Sequence, residues 1–168
     1  SMSQVNLKGG PVNIGGDFPL VGRVAPEFSL ANAKRDNVNL ASFGSKRKIL
    51  NIFPSIDTPT CALSVLRFNA EAASLDNTAV LCISADLPFA QKRFCGAEGT
   101  ENVETLSTFR NNEKFSTDFG VAILDTSLAG LTTRAVIVLD ESNKVIHAEL
   151  APEITEEPDY DAALSVLK

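Results

Sequence analysis

Three cysteines and one histidine stand in this chain of 168 residues, and the first cysteine has a setting that changes thiol chemistry. The segment Phe53-Pro54-Ser55-Ile56-Asp57-Thr58-Pro59-Thr60-Cys61 leaves an apolar run at 49–53 and enters a stretch in which Cys61, Val65, Phe68, Ala72 and Leu75 are spaced by four and three. That spacing is one face of an amphipathic helix. Thr58 is a good N-cap, and Pro59 takes the first helical position, where proline is favoured. Cys61 then falls in the first turn, beside unpaired backbone N–H groups and the positive end of the helix dipole. Such surroundings lower a thiol pKa and make the sulfur nucleophilic near neutral pH. The Thr58 oxygen can accept from a helix N–H while its O–H donates towards the sulfur or a substrate oxygen. The competing reading of Cys61 is a small apolar residue on the core face of its helix, and the residues alone leave both open.

Cys95 lies 34 residues further on. It ends a short helix opened by Asp86 or Leu87, running through Pro88 and closed by Gly96, with Gly99 just beyond. A helix end of this kind frays easily, which suits a cysteine that travels to meet an oxidised partner. A helix-end core residue beside Phe94 is the alternative. Cys82 sits within Val80-Leu81-Cys82-Ile83, where burial raises a thiol pKa and leaves it inert. In Cys61-Ala62-Leu63-Ser64, serine stands where a C-x-x-C exchange site would carry its second cysteine.

The elements that position these residues follow from periodicity. Residues 4–16 read as a β-hairpin around Gly9-Gly10. Residues 17–37 are loop-rich, with a short strand in Glu27-Phe28-Ser29-Leu30-Ala31-Asn32. Buried strands are expected at 49–53, 78–84, 134–140 and 144–150, the last two joined by Glu141-Ser142-Asn143. Helices are expected at 59–75, 86–95, 105–118 and 159–168. The pattern is α/β with a central mixed sheet, and with no repeats or linker it reads as one domain, 1–168, in which Ser1 before Met2 is an expression remnant.

Composition narrows the function classes. Lysine plus arginine number 15 against 21 acidic residues, a net charge of −6, which argues against nucleic-acid and anionic-membrane binding. The His and Cys counts forbid a Cys2His2 zinc site and allow only Cys3His. An odd cysteine count argues against a closed disulfide framework. No run approaches the ~20 apolar residues of a spanning helix, and the N-terminus carries no basic-then-apolar secretory pattern. Cytoplasmic placement is the expectation, in a reducing compartment where cysteines are more often catalytic or buried than bridged.

Pro54-x-x-x-Thr58-x-x-Cys61 resembles the motif around the peroxidatic cysteine of peroxiredoxins. Longer runs resemble one bacterial subgroup, the thiol peroxidases (Tpx): Lys46-Arg47-Lys48 with Leu50 to Thr58, Cys82-Ile83-Ser84-Ala85-Asp86-Leu87-Pro88-Phe89-Ala90, Arg93-Phe94-Cys95-Gly96, Leu106-Ser107-Thr108-Phe109-Arg110, Asp118-Phe119-Gly120-Val121 and Glu157-Pro158-Asp159-Tyr160. The resemblance spans nearly the whole chain. It implies a thioredoxin-like fold, a central mixed sheet flanked by helices, with an N-terminal β-hairpin. It further implies a peroxidatic Cys61 and a resolving Cys95 in one subunit, an active-site Arg134, and roles for Pro54 and Thr58. The substrates would be hydrogen peroxide and organic (alkyl or lipid) hydroperoxides, the reductant thioredoxin, and the assembly a homodimer, with no bound cofactor or metal. Two other classes remain open on the residues: a redox-sensing module using the same cysteines without turnover, and a structural protein with an unactivated Cys61.

Overall fold

The computed structural model describes residues 2–168, so the reading of Ser1 lies outside the described residues. In chain order the elements are β1 (Met2–Leu7), β2 (Gly10–Gly15), β3 (Leu30–Ala31), β4 (Asn37–Val38), a 3-10 turn (Leu40–Phe43), β5 (Arg47–Ile52), α1 (Pro59–Ala72), β6 (Thr78–Ser84), α2 (Pro88–Glu98), β7 (Glu104–Ser107), α3 (Asn112–Asp118), β8 (Ala122–Ile123), β9 (Ala135–Leu139), β10 (Val145–Leu150) and α4 (Tyr160–Ser165).

Seven strands form the central sheet in the order β10-β9-β5-β6-β7-β3-β4. β5, β6 and β7 run parallel to one another, while β9 pairs antiparallel with both β5 and β10, and β3 pairs antiparallel with β7. The sheet is therefore mixed, as expected. Because side chains alternate along a strand, Leu50, Ile52, Leu81, Ile83, Ile137 and Leu139 face a core with Phe28, Phe115 and Phe119. Ile49, Val80, Cys82, Val136 and Val138 face the opposite core, built with Val65 and Phe68 of α1 and Ala163 and Leu164 of α4. Burying a Phe or Val of this kind contributes about 1.5–3 kcal/mol each.

The N-terminal hairpin is present, in register from Met2↔Gly15 to Leu7↔Gly10. Its two-residue turn, Lys8-Gly9, has φ of 51° and 81°, the left-handed pair that matches strand twist in a tight hairpin. β2 also pairs with β8, and a small apolar cluster of Val5, Val12, Ile14, Ile123 and Ile154 lies beneath.

Two expectations need correction. Residues 105–118 are not one helix: β7 occupies Glu104–Ser107 and α3 only Asn112–Asp118. Thr105 and Leu106 pair in parallel with Cys82 and Ile83 of β6, so sheet pairing overrides local helical propensity. The second helix does not stop at Gly96. It runs to Glu98, and Gly99 closes it in the left-handed conformation, φ 66°. Boundaries elsewhere shift by a residue or a few: α1 ends at Ala72, and α4 is six residues long with Asp159 as its capping residue.

Candidate active site

β5 ends at Ile52 between β6 and β9, and the chain crosses the sheet's end in the loop 53–58 before α1 begins. The Phe53 N–H donates to the Ile83 carbonyl, 3.1 Å, and the Thr132 hydroxyl donates to the Phe53 carbonyl, 2.9 Å. Past Phe53 one carboxylate holds the loop. Asp86 accepts from the Ser55 hydroxyl (2.8 Å), the Ile56 N–H (2.7 Å) and the Ser84 hydroxyl (2.6 Å). The sequence offered Asp86 or Leu87 as the helix opener; Leu87 is the residue that precedes α2, and the Asp86 carboxylate braces the neighbouring loop.

Thr58 does precede Pro59 at the start of α1, as the sequence predicted. It makes no side-chain cap, however. Its hydroxyl donates back to the Ser55 carbonyl at 3.0 Å, which draws the loop into a tight turn and leaves the first-turn N–H groups without a side-chain acceptor. This corrects the expectation that its oxygen accepts from a helix N–H.

Cys61 stands in that first turn, 1% exposed. The Arg134 guanidinium reaches it from the residue preceding β9, with Nη2 3.3 Å from Sγ. Arg134 is itself 1% exposed, which excludes a solvated strand-end role. Its Nε–H donates to the Ile154 carbonyl at 2.9 Å, and its Nη1 has no protein partner. The unpartnered Nη1 is a donor available to an oxygen ligand, since leaving a buried donor unsatisfied costs about 1–3 kcal/mol. Behind Cys61, the Ser64 hydroxyl donates to the Cys61 carbonyl, 2.7 Å.

Cys61, Arg134, Pro54 and Thr58 share one pocket of about 440 Å³, walled on its far side by Leu7, Leu128, Leu131 and Ile154. Pro54 is buried, while Thr58 lies at the exposed rim. Four of the five candidate residues are thus together.

The fifth, Cys95, stands apart on α2, half-exposed, and all three cysteines are free thiols. α2 divides in two. Its first turn is fixed by Gln91, 1% exposed, whose amide donates to the Ser84 hydroxyl and the Leu106 carbonyl at 3.1 and 3.0 Å. Beyond Gln91, residues 92–98 are exposed or half-exposed. Nothing lies within 4 Å of where a Gly96 Cβ would be, so packing does not demand this glycine, and a mid-helix glycine weakens a helix by about 1 kcal/mol. One ion pair ties this segment to the Cys61 loop: Arg93 Nη2 contacts Asp57 Oδ1 at 2.8 Å and Oδ2 at 3.0 Å. Neither Gln91 nor Asp57 stood out in the sequence; their signal was position, just before each cysteine.

Cys82 is fully buried between Asn51 and the helices. Burial pushes its thiol up to about 12; Asn51 opposes this, and the nearby Cys95 adds slightly to it. Among the described residues no three His, Cys, Asp or Glu side chains gather as a metal ion would require, and no helix is long and apolar enough to cross a membrane.

Residues 20–164 match the Redoxin family. A thiol peroxidase of Mycobacterium bovis is 49% identical over 166 residues, 99% of each chain. The chain belongs to the Redoxin family, in its bacterial thiol peroxidase (Tpx) branch. Solved structures agree. A peroxiredoxin-like protein from Aquifex aeolicus superposes with a TM-score of 0.91 at 36% identity, covering 99% of this chain and 96% of that one. A thiol peroxidase from Chromobacterium violaceum gives 0.88 at 28% identity, over 98% and 95%. As a Tpx relative the chain is a peroxiredoxin-type peroxidase with a thioredoxin-like fold.

Proposed function

We propose that the chain reduces hydrogen peroxide and organic hydroperoxides through Cys61, with Cys95 of the same subunit resolving the product and thioredoxin restoring the dithiol. The observation that carries this reading is the Arg134 Nη2 to Cys61 Sγ contact of 3.3 Å within a shared pocket. The guanidinium favours the charged sulfur, and a helix N-terminus adds to that preference.

In the first step the Cys61 thiolate attacks the terminal peroxide oxygen. The O–O bond breaks, Cys61 becomes a sulfenic acid, and the departing alkoxide or hydroxide takes up a proton as alcohol or water. Negative charge develops on both oxygens, and the free Nη1 of Arg134 offers a preorganised donor for it. Arginine suits this because it stays charged and its donors are fixed in one plane. The Thr58 hydroxyl orients the peroxide after exchanging its Ser55 partner, and buried Pro54 shields the sulfenic acid from water. The wall of Leu7, Leu128, Leu131 and Ile154 supports organic peroxides as substrates.

In the second step the Cys95 thiol condenses with the sulfenic acid, forming a disulfide and releasing water. A disulfide needs Cα atoms within about 7 Å, and the two cysteines start on different helices. The segment after Gln91 therefore unwinds in each cycle, releasing the Arg93–Asp57 pair. Thioredoxin, a dithiol protein, then exchanges with the exposed disulfide and is itself oxidised. No bound metal or cofactor enters. Carried over from the family within the same proposal are a single domain, a homodimer and cytoplasmic placement.

The test is peroxide-dependent NADPH oxidation coupled through thioredoxin and its reductase. Cys61→Ser should abolish it, and Cys95→Ser should still form sulfenic acid but lose coupled turnover. Full turnover in the first variant sinks the peroxidase reading. A wild-type thiol no faster with peroxide than free cysteine would favour a sensor.

A further inference from the structure

The pair that carries the chemistry is held by a short segment, 152–155, and that segment is held by the N-terminal hairpin. The Ile154 carbonyl accepts from Arg134 Nε at 2.9 Å, and the Thr155 carbonyl accepts from the Thr60 hydroxyl, in the first turn of α1, also at 2.9 Å. Two neighbouring carbonyls thus hold the guanidinium and the cysteine's own helix turn. The segment has little else to fix it. It follows Ala151 after the end of β10, and only Ile154 sends a side chain into an apolar cluster.

Its backbone is laddered to β1. The Asn6 N–H donates to the Pro152 carbonyl at 2.8 Å, and the Ile154 N–H donates to the Asn6 carbonyl at 2.9 Å. One carboxylate closes the junction. Glu153 Oε1 accepts from the Gly9 N–H at the hairpin tip, 2.9 Å, while Oε2 accepts from the Thr155 N–H and hydroxyl at 3.0 and 2.8 Å. The Lys8 N–H contributes as well. The left-handed Lys8-Gly9 turn presents its N–H groups to this carboxylate.

We propose that Glu153 is a positioning residue for the peroxide reaction, splicing the hairpin tip to the segment whose carbonyls set Arg134 against Cys61. The proposal rests on the peroxidatic reading of Cys61. Accepted hydrogen bonds hold the Glu153 carboxyl down at about 2, with the Thr155 N–H the largest contributor, so the splice is intact at every pH where the enzyme would work.

The sign of the effect separates positioning from charge. Removing a negative charge near a thiolate should by Coulomb's law make that thiolate easier to form. Loosening Arg134 should make it harder. Glu153→Gln keeps the shape and loses the charge and one acceptor. Glu153→Asp keeps the charge but cannot span both Gly9 and Thr155. The test is thiolate absorbance against pH in the Cys82→Ala/Cys95→Ser background, with the rate of Cys61 oxidation by hydrogen peroxide measured alongside. Both variants should titrate about one pH unit higher, corresponding to a tenfold change in ionisation equilibrium, and react more slowly. In the otherwise wild-type chain, disulfide formation from the sulfenic acid should stay within about twofold, since Cys95 stands on another element. A titration unchanged or lowered in Glu153→Gln overturns the proposal, as does a wild-type titration in Glu153→Asp. Global unfolding of both variants also overturns it, because Glu153 would then act on the whole fold. A wild-type chain inert to peroxide would instead refute the peroxidatic reading, while the titration would still report on the splice.

Discussion

Replacing Arg134 with Met is the sharpest perturbation of the pocket, because it keeps most of the side chain's bulk while removing charge and donors. The guanidinium nitrogen lies 3.3 Å from the sulfur. Unit charges at that separation attract by about 5 kcal/mol at an effective dielectric near ~20. Much of this offsets the desolvation of two buried groups, and a charge-assisted hydrogen bond retains about 1.5–3 kcal/mol. At about 1.36 kcal/mol per decade, the thiolate alone accounts for roughly 10- to 150-fold. The free Nη1 donor is lost as well, and removing one donor aimed at developing charge lowers rates by about 10²–10³. Taken as independent the two losses multiply, so the second-order rate of Cys61 oxidation should fall by about 10³–10⁵. The chain has no Trp, so the rate is best followed by rapid mixing with peroxide, alkylation quench and intact mass. The Ile154 carbonyl loses its partner too, and about 1–3 kcal/mol of stability should go with it, measured by urea denaturation. A rate within threefold of wild type, in a folded variant, would refute the assignment of Arg134 to the chemistry.

Other consequences are as direct. Cys82→Ala should leave coupled turnover within about twofold, and in the folded wild type at pH 8 Cys82 should resist alkylation, its thiol being pushed up to about 12 by burial; rapid labelling of Cys82 would contradict this. Arg93→Ala should speed disulfide formation, and because exposed ion pairs contribute only about 0.2–1 kcal/mol, the gain should not exceed about fivefold; slower formation would mean that the pair guides Cys95 and does not restrain it. Glu153 gives a pH signature in stability. Its carboxyl sits near 2 against 4.5 for the free side chain, so its contribution is complete above pH 4.5 and fades as pH falls towards 2. Wild type should lose its stability advantage over Glu153→Gln across that window, and a difference constant from pH 6 to 2 would count against the splice.

Much of this was legible in the sequence, and the exceptions share a cause. The hairpin, the Thr78–Ser84 strand and the start of α1 each follow from a local rule: turn chemistry, a continuous apolar run, a proline at the first helical position. The grouping of Pro54, Thr58, Cys61 and Arg134 was foreseen through resemblance, because Arg134 by spacing alone is an arginine before a strand. β7 was hidden because a strand of four residues is too short to show a period, and the helical α3 follows after a short turn. β4 and β8, two residues each, give no periodic signal. With glycines at 96 and 99, local pattern pointed to the first as the helix stop, whereas Gly99 takes the left-handed cap. Asp86, Gln91 and Glu153 were missed for a different reason. Their partners are 15 to 144 residues away in the chain in the bonds that matter, and such pairings are visible only once the sheet is assembled.

The central claim is that Cys61 is oxidised and Cys95 resolves it within one subunit. Peptide mapping by mass spectrometry, after one equivalent of peroxide and alkylation of the remaining thiols, tests it most directly. The account predicts a disulfide joining the Cys61 and Cys95 peptides of a single chain, with Cys82 recovered outside any disulfide. Recovery of Cys61 as the alkylated thiol, or a disulfide that includes Cys82, would contradict it.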